Sequence, residues 1–287
     1  MNRITAWWLA IRPKTLSLSA TPVLLGLCLA WSETGRLRWE VAAATLLAAL
    51  AIQIGTNLYN DAADHERGTD GPDRLGPPRA TAQGWFSATR VKHGAALAFA
   101  VAFVLGIHLV TVGGWPILLL GLTSITAGYA YTGGPRPIAY SGSGELFVFL
   151  FFGLFAVTGS HYLQTAHWSP AALAGGAALG ALAAAVLLVN NYRDLDSDRR
   201  AGRLTLCHRL GRAGARRLYA TLLLAPFLLP LARPAELWPA LLALPGAILL
   251  IRRLYRVETG PGLNRLLAHT AQLQLAFGLL LGIGLLL

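Results

Sequence analysis

Seven aspartates are the residues of this chain with the clearest chemical potential, and all seven lie in two short stretches. The first runs Asn57-Leu58-Tyr59-Asn60-Asp61-Ala62-Ala63-Asp64 and continues to Asp70 and Asp73. The second runs Asn190-Asn191-Tyr192-Arg193-Asp194-Leu195-Asp196-Ser197-Asp198. On a helix, Gln53, Asn57, Asp61 and Asp64 step by four, four and three, and Asn190, Asp194 and Asp198 step by four, so each set is expected on one face. If the two faces meet, carboxylates and amide oxygens converge, and such a group repels itself unless cations fill it. Oxygen ligands without cysteine or clustered histidine favour Mg2+ over Zn2+. Solvated loop acids balancing nearby arginines are the competing reading, but every aspartate falling in two matched clusters favours a site.

Arginines interleave with these acids. Arg67, Arg74, Arg79 and Arg90 follow the first cluster, and Gly76-Pro77-Pro78 makes a stiff turn between Arg74 and Arg79. Arg193, Arg199, Arg200, Arg203, Arg209 and Arg212 flank the second. Carboxylates holding Mg2+, with Arg forks on the remaining oxygens, suit a polyanion such as a diphosphate. Arg74, Arg79 and Arg136 are the candidate phosphate grips. A third polar stretch, 129–140, is aromatic and carries Arg136. Its tyrosines, Tyr131 and Tyr140 among them, read equally as an interfacial belt or as a wall beside the reacting centre. Glu145 suits a helix N-terminus, and His161 reads as a structural group. No P-loop or GxGxxG sequence is present, and the pairs Gly176/Gly180 and Gly278/Gly282 read as helix packing.

The elements that must position these residues are membrane spans. Of 287 residues, 55% are hydrophobic and only 13% charged, with mean hydropathy +0.53. A soluble domain is about 25% charged, so an ordinary cytosolic globule, a disordered chain and a collagen-like repeat are excluded. Despite the net charge of +11, no nucleic-acid partner is expected; the basic residues instead follow membrane topology. Nine apolar segments fall near residues 15–32, 41–60, 92–112, 115–131, 145–164, 170–192, 217–232, 236–251 and 268–287. With nine spans, 21 of the 24 Lys and Arg lie on one side, leaving Arg36, Arg38 and Arg233 opposite. That bias puts the N-terminus and both acid clusters on the cytoplasmic side of a protein whose spans are surrounded by membrane lipid. The first apolar stretch reads as a retained span, since no small-residue cleavage site clearly ends it. Cys28 sits in a span and Cys207 in an Arg-rich loop, which argues against a disulfide framework.

These residues resemble the UbiA superfamily of intramembrane aromatic prenyltransferases. Asn60-Asp61-x-x-Asp64 is similar to its first Asp-rich motif and Asp194-x-x-x-Asp198 to its second. The resemblance is strongest to the branch acting on 1,4-dihydroxy-2-naphthoate. It is carried by Arg12-Pro13-Lys14-Thr15-Leu16, by 57–79, by Tyr131-Thr132-Gly133-Gly134-Pro135, by Gly144-Glu145-Leu146-Phe147-Val148-Phe149 and by Asn190-Asn191-Tyr192-Arg193-Asp194. The chain departs from some relatives at Gly68, where another Asp stands in those, and at Leu204, where a polar or basic residue is common. The resemblance implies an all-α membrane protein, one domain over residues 1–287, built as a bundle of nine transmembrane helices with a cytoplasmic cap. It implies a polyprenyl diphosphate and 1,4-dihydroxy-2-naphthoate as substrates, in a bacterial inner membrane. Asn60, Asp64, Asp194 and Asp198 become the expected Mg2+-diphosphate ligands. Asp61 joins the catalytic acids, Asn57 and Asn191 the diphosphate contacts, and Arg12 and Lys14 the aromatic carboxylate. Relatives using 4-hydroxybenzoate or homogentisate, and a multi-pass transporter with acids in its bundle, remain alternatives at this point.

Overall fold

The computed structural model describes residues 2–69, 75–256, 260 and 262–287. The described residues are helical with short connections, and each element begins or ends on a local signal. Helix α1 (Arg3–Ala10) opens at Asn2, whose side chain accepts a 2.8 Å hydrogen bond from the Thr5 amide. Pro13 then starts α2 (Pro13–Thr34). A proline suits the first turn of a helix, but it pushes the residue before it out of the right-handed helical region. Arg12 adopts left-handed backbone, φ 56° and ψ 68°, and the chain turns a sharp corner there. Gly35, at φ 66°, closes α2 as a left-handed C-cap. Helix α3 (Trp39–Glu66) returns and carries the first acid cluster on its last turns.

Helix α4 (Ala88–Ala130) has 43 residues. A straight helix of that length would measure roughly 65 Å, about twice the thickness of a hydrocarbon core. Gly114 resolves the mismatch. Its φ of 67° and ψ of −155° break the helix, Pro116 follows, and the limbs 88–113 and 115–130 fold back on each other. A side chain added at Gly128 would touch Phe99, which shows the two limbs lying side by side. Then come α5 (Gly144–Thr165), α6 (Pro170–Arg193), the short α7 (Leu195–Arg200), α8 (Leu206–Ala232), α9 (Pro234–Arg256) and α10 (Gly262–Leu286). Among the described residues, eight helical stretches are long and apolar enough to cross a membrane, and with α4 doubled they make nine crossings.

One boundary differs from the sequence expectation. Residues 206–210 and 212–216 are helical, not loop, with a kink between them at Gly211 (φ 65°, ψ 173°); Thr205 and His208 start the first piece with a reciprocal cap, the Thr205 amide donating to His208 Nδ1 at 3.1 Å. Cys207 is therefore buried inside the bundle.

Helix α6 is the central element. It packs on α5 on one side and on α8 and α10 on the other, and most of its length is buried. Small residues allow the approach to α5: a Cβ added at Gly153 would collide with the Gly176 carbonyl and Gly180, and one at Gly180 with the Phe149 carbonyl. At this contact α5 widens by one residue per turn over Leu150–Leu154. Leu179, Leu182, Leu188, Tyr219, Leu223 and Phe277 fill the other side. Apolar side chains such as Leu97, Val101 and Val104 face outward, as a lipid-facing wall requires.

The two ends of the bundle are chemically distinct. The acid clusters lie at one end, covered by the segments 75–87 and 131–143 and by α7. Arg36, Arg38 and Arg233 lie at the other. All eight tryptophans sit at the ends, with Trp31, Trp39, Trp115, Trp168 and Trp238 at the end far from the acids, where amphipathic rings meet the membrane surface. The protein is a multi-pass membrane protein. Because α5 and α6 meet backbone to backbone, Gly153→Val should overpack this contact and destabilise the fold by about 1–3 kcal/mol, read as a lower unfolding temperature in detergent.

Candidate active site

A cavity of about 790 Å3 opens among α2, α3, α4, α5 and α6. It runs from Asp64 to Thr45 along α3, nineteen residues apart in sequence and so roughly 28 Å. The long lower part is walled by Val23, Ile52, Phe103, Ile107, Ile117, Phe151, Phe155 and Leu163 among others. The polar end is lined by Arg12, Asn57, Asn60, Asp64, Arg79, Tyr131, Thr132, Asn190, Arg193, Asp194, Ser197, Asp198 and Arg203. The two acid clusters thus share one chamber, although α3 and α6 are far apart in sequence.

The first cluster divides its labour. Asp64 faces the cavity and accepts a 2.7 Å hydrogen bond from Arg79 Nη2, both residues being buried. Asp61 does not line the cavity. Its Oδ2 accepts from the Ala80 amide at 2.8 Å, and its Oδ1 accepts from the Thr81 amide at 3.0 Å and the Thr81 hydroxyl at 2.5 Å. It therefore anchors the segment 75–87, the strap that carries Arg79, a placement different from the catalytic one expected of it. Asn60 takes the inward place; its Oδ1 accepts a 2.6 Å bond from the Thr132 hydroxyl. Asn57 lines the cavity and uses its amide group to donate to the Ile11 carbonyl at 2.9 Å and to Thr15 Oγ1 at 3.0 Å. That pair of bonds pins the corner at Arg12 and brings Arg12 to the cavity wall.

The second cluster is organised by Arg193. Its guanidinium donates to both oxygens of Asp194, at 2.7 and 2.5 Å, to Asn190 Oδ1 at 2.9 Å and to Asn264 Oδ1 at 2.9 Å. Asn264 in turn donates to the Leu75 carbonyl at 2.6 Å, joining α10 to the start of the strap. Asp198 stands differently. The nearest cation is Arg203, 4.0 Å away, and Asp198 Oδ2 is buried without a hydrogen-bond partner among the described residues. Burial pushes its carboxyl up to about 6; Arg203 pulls the other way, and the negative charges of Asp194 and Asp64 push it further up. Burial lowers the proton affinity of Arg203, but the facing acids, Asp198 foremost, raise it above the usual value. Arg203 also donates to the Ala139 carbonyl at 2.9 Å, fixing the 131–143 segment.

Other expected residues are distributed unevenly. Tyr131 lines the cavity, and burial keeps its phenol protonated, pushed up to about 12. Tyr140 lies off the cavity, its ring under Arg67 at 5.3 Å and Arg203 at 5.7 Å. Asn191 is turned from the cavity and donates to Glu145 Oε1 at 2.9 Å, both buried between α5 and α6. Lys14 and Arg136 are exposed and do not line the chamber. Asp70, Asp73 and Arg74 lie outside the described residues. Arg193, Arg203, Thr132 and Ser197 are cavity-lining residues not assigned to the site from sequence. Their only signal is position, Arg193 inside the acid stretch and Arg203 five residues beyond Asp198.

Asn60, Asp64, Asp194 and Asp198 form an oxygen-rich donor set suited to a hard cation such as Mg2+. The unpartnered Asp198 Oδ2, and the cost of its charge without a nearby cation, fit that use. The Arg193 fork on Asp194 is compatible with it, because a carboxylate offers about four lone-pair sites and the fork uses two.

Residues 19–282 match the UbiA prenyltransferase family. The chain belongs to the UbiA prenyltransferase family. It is 40% identical, over 78% of its length and 74% of the relative's, to a 1,4-dihydroxy-2-naphthoate octaprenyltransferase of Escherichia coli. A protein of the same description from Mycobacterium tuberculosis is 36% identical over 91% of this chain and 89% of its own. A third, from Bacillus subtilis, is 32% identical over 97% and 91%. Among solved structures, a UbiA homolog from Archaeoglobus fulgidus bound to DMAPP and Mg2+ superposes with TM-score 0.67 at 16% identity, covering 95% of this chain and 97% of that one. The apo UbiA homolog from Aeropyrum pernix gives 0.69 at 17% identity, covering 96% and 98%. These similarities establish the fold shared with the family.

The two kinds of acid predict opposite outcomes. Asp61→Asn removes the charge that holds three donors, and bonds to charged groups are worth about 1.5–3 kcal/mol each, so thermal stability should fall whether or not metal is present. Asp198 has its proton affinity raised by folding, so above about pH 6 its charge costs the folded state stability. At pH 8 in chelator, Asp198→Asn should therefore unfold at an equal or higher temperature than the parent chain, while losing any stabilisation given by added Mg2+.

Proposed function

We propose that this chain transfers a polyprenyl group from polyprenyl diphosphate to 1,4-dihydroxy-2-naphthoate, releasing diphosphate and CO2 and giving demethylmenaquinol. The observation that carries this reading is one cavity with carboxylates and arginines at its mouth and a long apolar wall below. A prenyl diphosphate has that same division, a polyanionic head on a hydrocarbon tail. The naphthoate acceptor is supported by the relatives from three bacteria, each described as a 1,4-dihydroxy-2-naphthoate octaprenyltransferase. The bias of 21 basic residues to the acidic end supports a cytoplasmic mouth, in a bacterial inner membrane.

Asn60, Asp64, Asp194 and Asp198 would hold Mg2+, which supplies the charge that neutralises the diphosphate and stabilises it as a leaving group. Arg79, Arg193 and Arg203 line the same end and give charge-assisted hydrogen bonds to phosphate oxygens as negative charge builds there. Thr132 and Asn60 keep the 131–143 segment, and with it Tyr131, at the mouth. The allylic carbon–oxygen bond breaks and its electron pair leaves with the diphosphate. The Tyr131 ring face stabilises the positive charge left on the allylic carbon. The apolar wall excludes water that would otherwise capture that carbon. Arg12, at the pinned corner between α1 and α2, takes the aromatic carboxylate. The ring carbon bearing that carboxylate forms the new carbon–carbon bond, and loss of CO2 returns an electron pair to the ring and restores aromaticity.

Mass analysis of the product from dihydroxynaphthoate and a set of prenyl diphosphates tests the proposal. The expected product has lost the mass of CO2; a conjugate retaining the carboxyl group overturns the decarboxylating step, and product only from 4-hydroxybenzoate or homogentisate overturns the acceptor. Asp64→Ala and Asp198→Ala should each lower turnover by about 10²–10³-fold or more at unchanged expression, and full activity of either would remove the basis for the site.

A further inference from the structure

A second constellation of ligating side chains lies at the other end of the bundle, outside the chemistry described above. Glu33 stands in the last turn of α2, His161 near the end of α5, and His167 in the turn between α5 and α6. His161 Nε2 is 2.9 Å from Glu33 Oε2, and His167 Nε2 is 2.6 Å from Glu33 Oε1. One ligand atom from each of the three residues lies within 4.8 Å of the others. The His161 side chain is 1% exposed, while those of Glu33 and His167 are 42% and 51% exposed, so the group is anchored on a buried wall and open to the surface.

We propose that Glu33, His161 and His167 form a binding site for a borderline divalent metal ion, Zn2+ in particular, at the end of the bundle opposite the acidic cavity. Two imidazoles and a carboxylate select Zn2+ or Cu2+ over Mg2+ or Ca2+, which take oxygen ligands. Three protein ligands leave one tetrahedral position for water. Bonds of about 2.0–2.1 Å to zinc place tetrahedral ligands roughly 3.4 Å apart, so small side-chain rotations of the exposed Glu33 and His167 close the present arrangement onto an ion.

The surrounding groups suit both states. A carboxylate only accepts hydrogen bonds, so without metal each Nε2 facing Glu33 carries the hydrogen. Thr165 Oγ1 lies 3.2 Å from His161 Nδ1. A hydroxyl both donates and accepts, so it serves the tautomer with hydrogen on Nε2 and also the one that frees Nε2 for a metal and places hydrogen on Nδ1. Ala166, at φ 60°, makes the left-handed turn that returns His167 over the end of α5, and the rings of His161 and His167 meet edge to face with centroids 5.3 Å apart. The Arg38 guanidinium is occupied nearby on the Leu163 carbonyl, and its amide donates to Gln164 Oε1 at 2.8 Å. Leu163 belongs to the apolar wall of the cavity, so a metal here fastens α2 to α5 at the end of that chamber far from the acids.

The test uses the full-length, tag-free chain in detergent, stripped with chelator and then kept in excess Mg2+. Zn2+ is titrated by equilibrium dialysis and by thermal unfolding. Cu2+ is added separately for electron paramagnetic resonance, because coupling to ligand nitrogen reports imidazole, and no histidine among the described residues lines the acidic cavity. The expected result is about one Zn2+ per chain, a raised unfolding temperature and nitrogen coupling to Cu2+. His167→Ala, at an exposed position, should fold normally and weaken Zn2+ binding by about tenfold or more, while Asp198→Asn leaves it unchanged. Equal Zn2+ binding by the parent and His167→Ala, loss of binding in Asp198→Asn, or copper without nitrogen coupling would each overturn the site and leave the cluster as an ion pair joining two helices.

Discussion

Buried aspartates gathered at one end of a helical bundle are the constraint on which this structure turns. Like charges sharing a chamber of low effective dielectric constant repel each other, and burial adds the cost of lost hydration. The chain answers with arginines brought from different segments. Arg79 from the strap meets Asp64, Arg193 on α6 grips Asp194, and Arg203 beyond α7 faces Asp198. Where the match is loosest, at Asp198, the carboxyl shows the strain in its raised proton affinity.

The same arginines build the cover of the site. Arg203 ties the 131–143 segment through the Ala139 carbonyl, and Arg67 does so through the carbonyls of Thr132 and Gly134. Arg193 reaches Asn264, which holds the Leu75 carbonyl. Charge balance and cap formation are therefore one event, and Asp61 completes it by binding the strap backbone. A substrate diphosphate would enter an array of donors already held in place, so little ordering remains to oppose binding.

Below the mouth the bundle is asymmetric. Glycines on α5 and α6 let two helices close backbone to backbone, and leucines and aromatics fill the space between α6, α8 and α10. On the other side α2, α3, α4 and α5 enclose the cavity, with phenylalanines and branched side chains lining it. Packing without gaps on one side gives rigidity, and the gap on the other gives room for a tail as apolar as lipid. The fold-back of α4 at Gly114 supplies two of the cavity walls from one continuous stretch.

Membrane architecture was legible in the residue order because it rests on one-dimensional quantities. Apolar runs long enough to cross a bilayer, and basic residues alternating between sides, give nine crossings whatever the packing. Proline at 13, glycine at 114 and the clustering of every aspartate also speak locally. Which neighbour faces inward did not. Asn60 and Asp61, or Asn190 and Asn191, are 100° apart on a helix whose end is surrounded by protein on several sides, so spacing cannot choose between cavity, strap and neighbouring helix. The reach of the arginines was equally hidden: Arg136 and Lys14 point to the surface while Arg193 and Arg203 line the chamber. Loop paths decide that, and loop paths follow from contacts between segments far apart in the chain. Sequence alone determined a nine-crossing membrane protein with two acid clusters at the same end; tertiary structure alone decided which acids meet across the cavity and which hold the cover, because only packing sets the direction of adjacent side chains.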